Sequence, residues 1–216
     1  MLERMDEFFD HRLAGYDEHM LTEIESAQLF YPFTADLLPE AAGARVLDLG
    51  CGTGLELEFY LKRNPAAQVT GVDMAPGMLG ALRKKFPEKA MTLILGSYFD
   101  VPFGDKAFDA AVSVESLHHF TMEEKLPLYK KLHAALGEGG YLILTDYFAP
   151  SDELERAYRQ DYLRLKAEQG IADDAFYHYD TPLTVAHETQ ALLAAGFASI
   201  TVLGQWGNTV TLRADK

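Results

Sequence analysis

Three glycines stand at alternate positions after an apolar run, Val46-Leu47-Asp48-Leu49-Gly50-Cys51-Gly52-Thr53-Gly54. The apolar run reads as a buried strand. Glycines let the chain turn sharply out of it and approach a ligand closely, with the free N–H groups of the following helix facing that ligand. A glycine turn used only for packing would look the same in isolation, so the carboxylates nearby carry the argument. Asp48 sits just ahead of the loop, and Asp73 follows Gly54 by 19 residues, at the end of the next apolar run.

An acidic residue in the place of Asp73 can accept both hydroxyls of a ribose, a feature common to sites for NAD and for S-adenosylmethionine. The spacing is G-x-G-x-G rather than the dinucleotide G-x-G-x-x-G. A carboxylate beside the loop would also repel a pyrophosphate, whereas it would attract the ammonium of a methionine. Both features favour S-adenosylmethionine. The segment resembles motif I of the class I S-adenosylmethionine-dependent methyltransferases, and 71–79, 96–103, 108–120, 136–147 and Gly196-Phe197 resemble later motifs, so the likeness covers 44–216. It implies that Asp48, Gly50, Cys51, Gly52 and Gly54 hold the methionine portion and Asp73 the ribose. Met74 and Met78 would pack on the adenine side, where Ser97 and Tyr98 support the ring. Ser113, Val114 and Glu115 would complete the wall near the sulfonium, with S-adenosylhomocysteine as product.

The sulfonium already activates the methyl group, so the protein must mainly align a nucleophile and, where needed, take its proton. Catalytic candidates are His118 and His119, which resemble the family's "LHHF" ending after the fourth strand, together with Tyr16 and Tyr147. Tyr16 lies in Phe8-Phe9-Asp10-His11-Arg12-Leu13-Ala14-Gly15-Tyr16-Asp17, similar to a "YD" segment that closes over the cofactor in small-molecule members. Asp146, Tyr147 and Phe148 end the fifth strand at the same crevice. The run Phe176-Tyr177-His178-Tyr179-Asp180 could stack on a flat acceptor, pack a cap, or meet a second copy in a homodimer, and His178 with Asp180 could form a base and its orienter.

These groups need a scaffold. Short β-like runs at 45–49, 68–72, 92–95, 108–114 and 141–146 alternate with helical patterns at 55–63, 76–85 and 123–136, which predicts a parallel sheet covered on both faces. Runs at 199–203 and 209–212 are joined too closely for a crossover and must pair antiparallel. The fold class is therefore α/β: a Rossmann-like, seven-stranded, mostly parallel sheet with a C-terminal antiparallel hairpin. One domain divides into an N-terminal helical lid (1–40, with helices at 6–20 and 22–38), a cofactor-binding core (41–150), an inserted cap after strand 5 (151–183, with a helix at 152–168 and an irregular 171–182), and a final helix capped by Thr184 with the hairpin (184–216).

Composition bounds the partners. With 33 acidic against 19 basic side chains, the formal charge of −14 disfavours nucleic acid and points to a small-molecule substrate. The one cysteine, Cys51, cannot close an intramolecular disulfide or a zinc knuckle, so no metal is expected. No apolar run approaches the ~20 residues of a membrane helix, and a cytoplasmic location is expected. The expected activity is methyl transfer to O, N or C of a small molecule. A relative that modifies a tRNA base and a non-catalytic S-adenosylmethionine-binding protein are the alternatives.

Overall fold

The computed structural model describes residues 1–172 and 175–216, so two positions of the irregular 171–182 segment, Asp173 and Asp174, lie outside the described residues. Its sheet has seven strands in the order β3-β2-β1-β4-β5-β7-β6: β1 (Arg45–Leu49), β2 (Gln68–Asp73), β3 (Thr92–Leu95), β4 (Phe108–Val114), β5 (Leu136–Tyr147), β6 (Ser199–Trp206) and β7 (Thr209–Asp215). The first five run parallel, and β7 lies antiparallel to both β5 and β6. That is the Rossmann-like arrangement with a terminal hairpin expected from the sequence.

Strand side chains alternate between faces. Leu47, Leu49, Ala111, Leu142 and Leu144 pack on one side with Leu128 and Leu132 of α6 (Met122–Ala135) and Leu192 of α8 (Val185–Ala194). Val46, Val69, Val112 and Ile143 pack on the other with Phe30 of α3 (Ala27–Asp36), Tyr60 of α4 (Leu55–Arg63) and Leu82 of α5 (Pro76–Lys85). Phe30, Tyr60, Leu132 and Leu192 have no exposed surface; burying one such side chain contributes about 1.5–3 kcal/mol. Thr121 and Glu124 form a reciprocal capping box at the start of α6, and Thr184 Oγ1 accepts the His187 N–H at 3.3 Å as the expected cap of α8.

The N-terminal region departs from the two helices expected. It forms three, α1 (Met5–Arg12), α2 (Tyr16–Glu23) and α3. Gly15 adopts a left-handed φ of 84° that breaks the first expected helix, and Ser26, at φ 63°, separates the second from the third. β5 begins at once after α6, five residues earlier than expected, because a register shift between Phe108 and Ala110 lets Leu136 pair before Tyr141 does. Helix α7 (Asp152–Gln169) extends the expected insertion helix by one residue. The insertion then returns to meet the N-terminus: Arg4 and Tyr177 form an antiparallel bridge, and the Met5 N–H donates to the Phe176 carbonyl at 3.0 Å. Among the described residues, no helix is long and apolar enough to cross a membrane.

Candidate active site

Strand order reverses between β1 and β4, and in open α/β sheets ligands bind at the carboxyl ends of the strands at such a point. A narrow cleft opens there. Gly50, Gly52, Asp73, Met74, Met78, Ser97, Tyr98, Val114 and Glu115 line it, joined by Gly96, Ser116 and Phe120 from the sheet side and Met5, Phe9 and Tyr16 from the N-terminal helices. Asp48, Cys51, Gly54 and Ser113 stand behind this wall rather than in it. Asp48 and Ser113 are buried, and the Ser113 hydroxyl donates to the Leu49 carbonyl at 3.2 Å. Cys51 is buried against Gly71, and burial pushes its thiol up, so it is inert.

Backbone conformation shapes the glycine loop. Gly50, Gly52 and Gly54 all have left-handed φ values. At Gly50 a side chain would also collide with Ser116, whose Cβ lies 2.8 Å from where the added carbon would sit. The Asp73 carboxylate holds the loop from the neighbouring strand: its Oδ2 accepts the Gly52 N–H at 2.9 Å and its Oδ1 accepts the Ala75 N–H at 2.8 Å. Burial raises the Asp73 pKa, and these two donors oppose the rise. Ser97 Oγ accepts the Phe99 N–H at 3.2 Å, and the loop after it is fixed by Lys131 Nζ, which donates to the carbonyls of Tyr98, Phe99 and Val101 at 2.6, 2.8 and 2.9 Å.

Behind the loop lies a pair that the motif alone does not announce. Asp48 faces Glu56 of α4, both buried, and among the described residues one oxygen of each (Asp48 Oδ2 and Glu56 Oε1) has no hydrogen-bond partner. Burial, then the Glu56 charge, raises the Asp48 pKa well above its ordinary value, and burial raises that of Glu56. The available signal was the acidic residue in the first turn of the helix that follows the glycines.

A second, larger cavity of about 620 Å³ adjoins the first. Its walls include Phe8, Arg12, His19, His118, His178 and Asp180, and it shares Phe9, Tyr16, Glu115 and His119 with the first. Two of the catalytic candidates, Tyr16 and His119, thus border both spaces. His118 borders only the second. Tyr147 borders neither; its hydroxyl lies 3.3 Å from that of Tyr158 on α7, and this contact, followed by burial, raises its pKa to about 12.

Glu115 leaves β4 in a left-handed conformation, φ 47°, held by its N–H to the Thr145 carbonyl and by the Thr209 hydroxyl, which donates to its Oε1 at 3.2 Å. The next residues form a single 3₁₀ turn, Leu117–His119. Asp146 at the end of β5 fixes this turn by accepting the Leu117 N–H at 2.8 Å on Oδ2, and its Oδ1 lies 2.5 Å from His118 Nδ1. Burial opposes charge on His118, but Asp146, Glu115 and Asp180 outweigh it and raise the pKa to about 9. Burial and then the neighbouring His118 lower that of His119, which stays neutral. Burial lifts Glu115 to about 7. The sequence pairing of His178 with Asp180 takes another form: the His178 ring stacks on Phe8, with centroids 3.4 Å apart, while Asp180 Oδ1 lies 3.1 Å from His119 Nδ1 and 3.6 Å from His118 Nε2.

Comparison with known proteins agrees with this architecture. Residues 46–140 match a family model described as a methyltransferase domain. The chain is 31% identical over 231 residues to a carboxy-S-adenosyl-L-methionine synthase of Wolinella succinogenes, covering 96% of this chain and 92% of that one. It is 36% identical over 118 residues to a demethylmenaquinone methyltransferase of Thermus thermophilus, with 53% of this chain and 52% of that one covered. A solved SAM-dependent methyltransferase of Thermotoga maritima superimposes with a TM-score of 0.69 at 22% identity, over 98% of this chain and 99% of that one, and shares the fold.

Proposed function

The chain belongs to the class I S-adenosylmethionine-dependent methyltransferases, and from that premise we propose that it transfers the methyl group to a small-molecule acceptor held in the larger cavity. The observation that carries this reading is the shared wall: Phe9, Tyr16, Glu115 and His119 border both the glycine-loop cleft and the acceptor-side cavity. A group transferred between two bound molecules must cross at such a boundary.

The residues present fit the donor. Gly50 and Gly52 bring backbone to the cleft with no side chain in the way, and Asp73 keeps lone pairs free for ribose hydroxyls beyond the two backbone donors it accepts. Asp48 has an unpartnered buried oxygen behind the loop, suited to draw a methionine ammonium toward it. Cys51, Gly54 and Ser113 support the loop and strand from behind. Met74, Met78, Ser97 and Tyr98 offer an apolar slot with polar edges for adenine. When bound, S-adenosylmethionine supplies an already activated methyl group. The chain orients the acceptor between Tyr16 and His119, and neutral His119 is the base that can take an acceptor proton. Tyr147 supports the wall of α7 rather than the transfer.

Full-length similarity to the carboxy-S-adenosyl-L-methionine synthase favours one second reading, in which this chain makes the same carboxylated nucleoside. The acceptor-side cavity is compatible with either reading, since Arg12 and His118 face Glu115 and Asp180 across it. A tRNA acceptor is disfavoured by the formal charge of −14. Incubation with methyl-labelled S-adenosylmethionine and metabolite pools decides among these. Label in a small molecule with release of S-adenosylhomocysteine is expected. A nucleoside heavier by one carboxyl group establishes the second reading, and binding without turnover of any pool overturns the enzymatic one.

A further inference from the structure

Two histidines and a carboxylate converge on one point of the larger cavity. The ligating atoms of His118, His119 and Asp180 all lie within 4.8 Å of one another, with Asp180 Oδ1 3.1 Å from His119 Nδ1 and 3.6 Å from His118 Nε2. Bonds of about 2.0–2.1 Å at tetrahedral angles set donor atoms about 3.3 Å apart, so this spacing is that of ligands around one ion.

Two further observations point the same way. His119 Nδ1 is buried and, apart from its 3.1 Å approach to Asp180 Oδ1, has no polar partner among the described residues. A buried imidazole nitrogen left unpaired costs about 1–3 kcal/mol unless something occupies it. His118 presents the arrangement seen around metal-bound histidines: Asp146 holds its Nδ1 at 2.5 Å, which fixes the ring and turns Nε2 toward Asp180. Glu115 Oε2, 3.9 Å from His118 Nδ1, adds a third carboxylate. Asp146, Glu115 and Asp180 thus surround the two imidazoles with carboxylates, which favours a cation at this point.

We propose that His118, His119 and Asp180 bind a divalent transition-metal ion, of the zinc or cobalt class, with Asp146 orienting His118 from behind. Imidazole nitrogen with one carboxylate is a donor set that suits such ions. The cysteine count that led to no metal being expected does not bear on this donor set. Three protein ligands leave at least one position open to the cavity, where an acceptor's oxygen or nitrogen could coordinate and be held against the shared wall; with Nδ1 on the ion the His119 ring keeps its proton on Nε2, so in the loaded protein the ion, and not His119 as a base, would ease loss of the acceptor's proton. That last role rests on the methyl-transfer reading; the ion site itself does not.

The test uses the full chain, stripped with chelator and titrated with Co²⁺ without S-adenosylmethionine, followed by visible d–d absorption and calorimetry. One Co²⁺ per chain is expected, displaced by Zn²⁺. Asp180→Asn, at a side chain 47% exposed and so tolerant of change, and His119→Ala should each weaken Co²⁺ by more than tenfold, and Asp146→Asn by about 10–100-fold. Circular dichroism and thermal unfolding verify that each variant folds. Absence of a saturable band in the folded wild-type chain, or a band that survives both Asp180→Asn and His119→Ala, overturns the site. Binding of S-adenosylhomocysteine, measured in parallel, separates this result from a failure of the methyltransferase reading.

Discussion

The Gly52 N–H donates to Asp73 Oδ2 at 2.9 Å, which ties the loop after β1 to the end of β2 through one side chain. The same carboxylate accepts from Ala75, so it must be an acceptor on both oxygens. Asp73→Asn replaces one acceptor by an NH₂ group facing a backbone N–H. The variant should lose about 1–3 kcal/mol of stability in denaturant titration, and calorimetry should show S-adenosylhomocysteine binding weakened by more than tenfold. Unchanged affinity would remove Asp73 from the proposed donor site.

Gly50 meets two constraints at once, a φ of 68° and the approach of Ser116. Gly50→Ala should therefore cost more than the ~1–2 kcal/mol of a left-handed non-glycine residue, lower the thermal midpoint and abolish S-adenosylhomocysteine binding. Adding Ser116→Gly, which opens the space but leaves the dihedral strained, should restore part of the stability. Equal instability of the single and double variants would show that the collision with Ser116 contributes nothing.

The glycine loop, Asp73 and the strand sequence were legible because glycine conformation, a nearby acidic residue and apolar periodicity are local properties. The break at Gly15 was not, since an isolated glycine inside an amphipathic pattern reads as tolerated helix until packing forces a left-handed turn. Asp180 illustrates the harder limit. Its neighbours in sequence suggested a partnership with His178, but the Thr181 N–H donates to the His118 carbonyl at 2.8 Å, and this return of the insertion delivers Asp180 to the histidines after β4. His118 and Asp146 were both assigned to the crevice, yet their contact depends on the parallel register of Val114 with Thr145. Pairings set by register and by long returns of the chain leave no mark in local pattern.

Lys125 Nζ lies 2.6 Å from Glu188 Oε2, both buried between α6 and α8, and the Tyr129 hydroxyl donates to the same carboxylate. Glu188→Ala strands a buried ammonium and should destabilise the chain by about 3–5 kcal/mol in chemical denaturation. Replacing the pair together, Lys125→Met with Glu188→Leu, should cost less than the single change. A single variant within ~1 kcal/mol of wild type would mean that water reaches the ammonium.

Asp48 and Glu56 give a pH dependence with a definite sign. Burial raises the folded pKa of Asp48 well above its ordinary value and raises that of Glu56, so the folded chain keeps a proton that the unfolded chain releases near pH 4. The resulting stability is fully present below that ordinary value and is lost as pH rises through the raised folded one. Glu56→Gln offers Asp48 an N–H donor at every pH and should flatten this decline, leaving the variant relatively more stable toward alkaline pH. Parallel stability curves for the two proteins across the range would show that the pair does not titrate between folded and unfolded states.

The N-terminal helices are fastened over the cleft by two aspartates. Asp10 Oδ1 accepts the Gly77 N–H at the start of α5 at 2.8 Å, and Asp17 accepts the Thr53 hydroxyl and pairs with Lys85 Nζ at 2.7 Å. Phe9 and Tyr16, which border both cavities, lie next to these anchors in sequence. Half-exposed pairs of this kind contribute about 0–1 kcal/mol to global stability, but they govern whether α1 and α2 stay closed. Asp10→Ala with Asp17→Ala should therefore leave the thermal midpoint within a few degrees while S-adenosylhomocysteine dissociates about tenfold faster in stopped flow, the equivalent of ~1.4 kcal/mol. Dissociation at the wild-type rate from a folded double variant would mean that these helices do not gate the cleft.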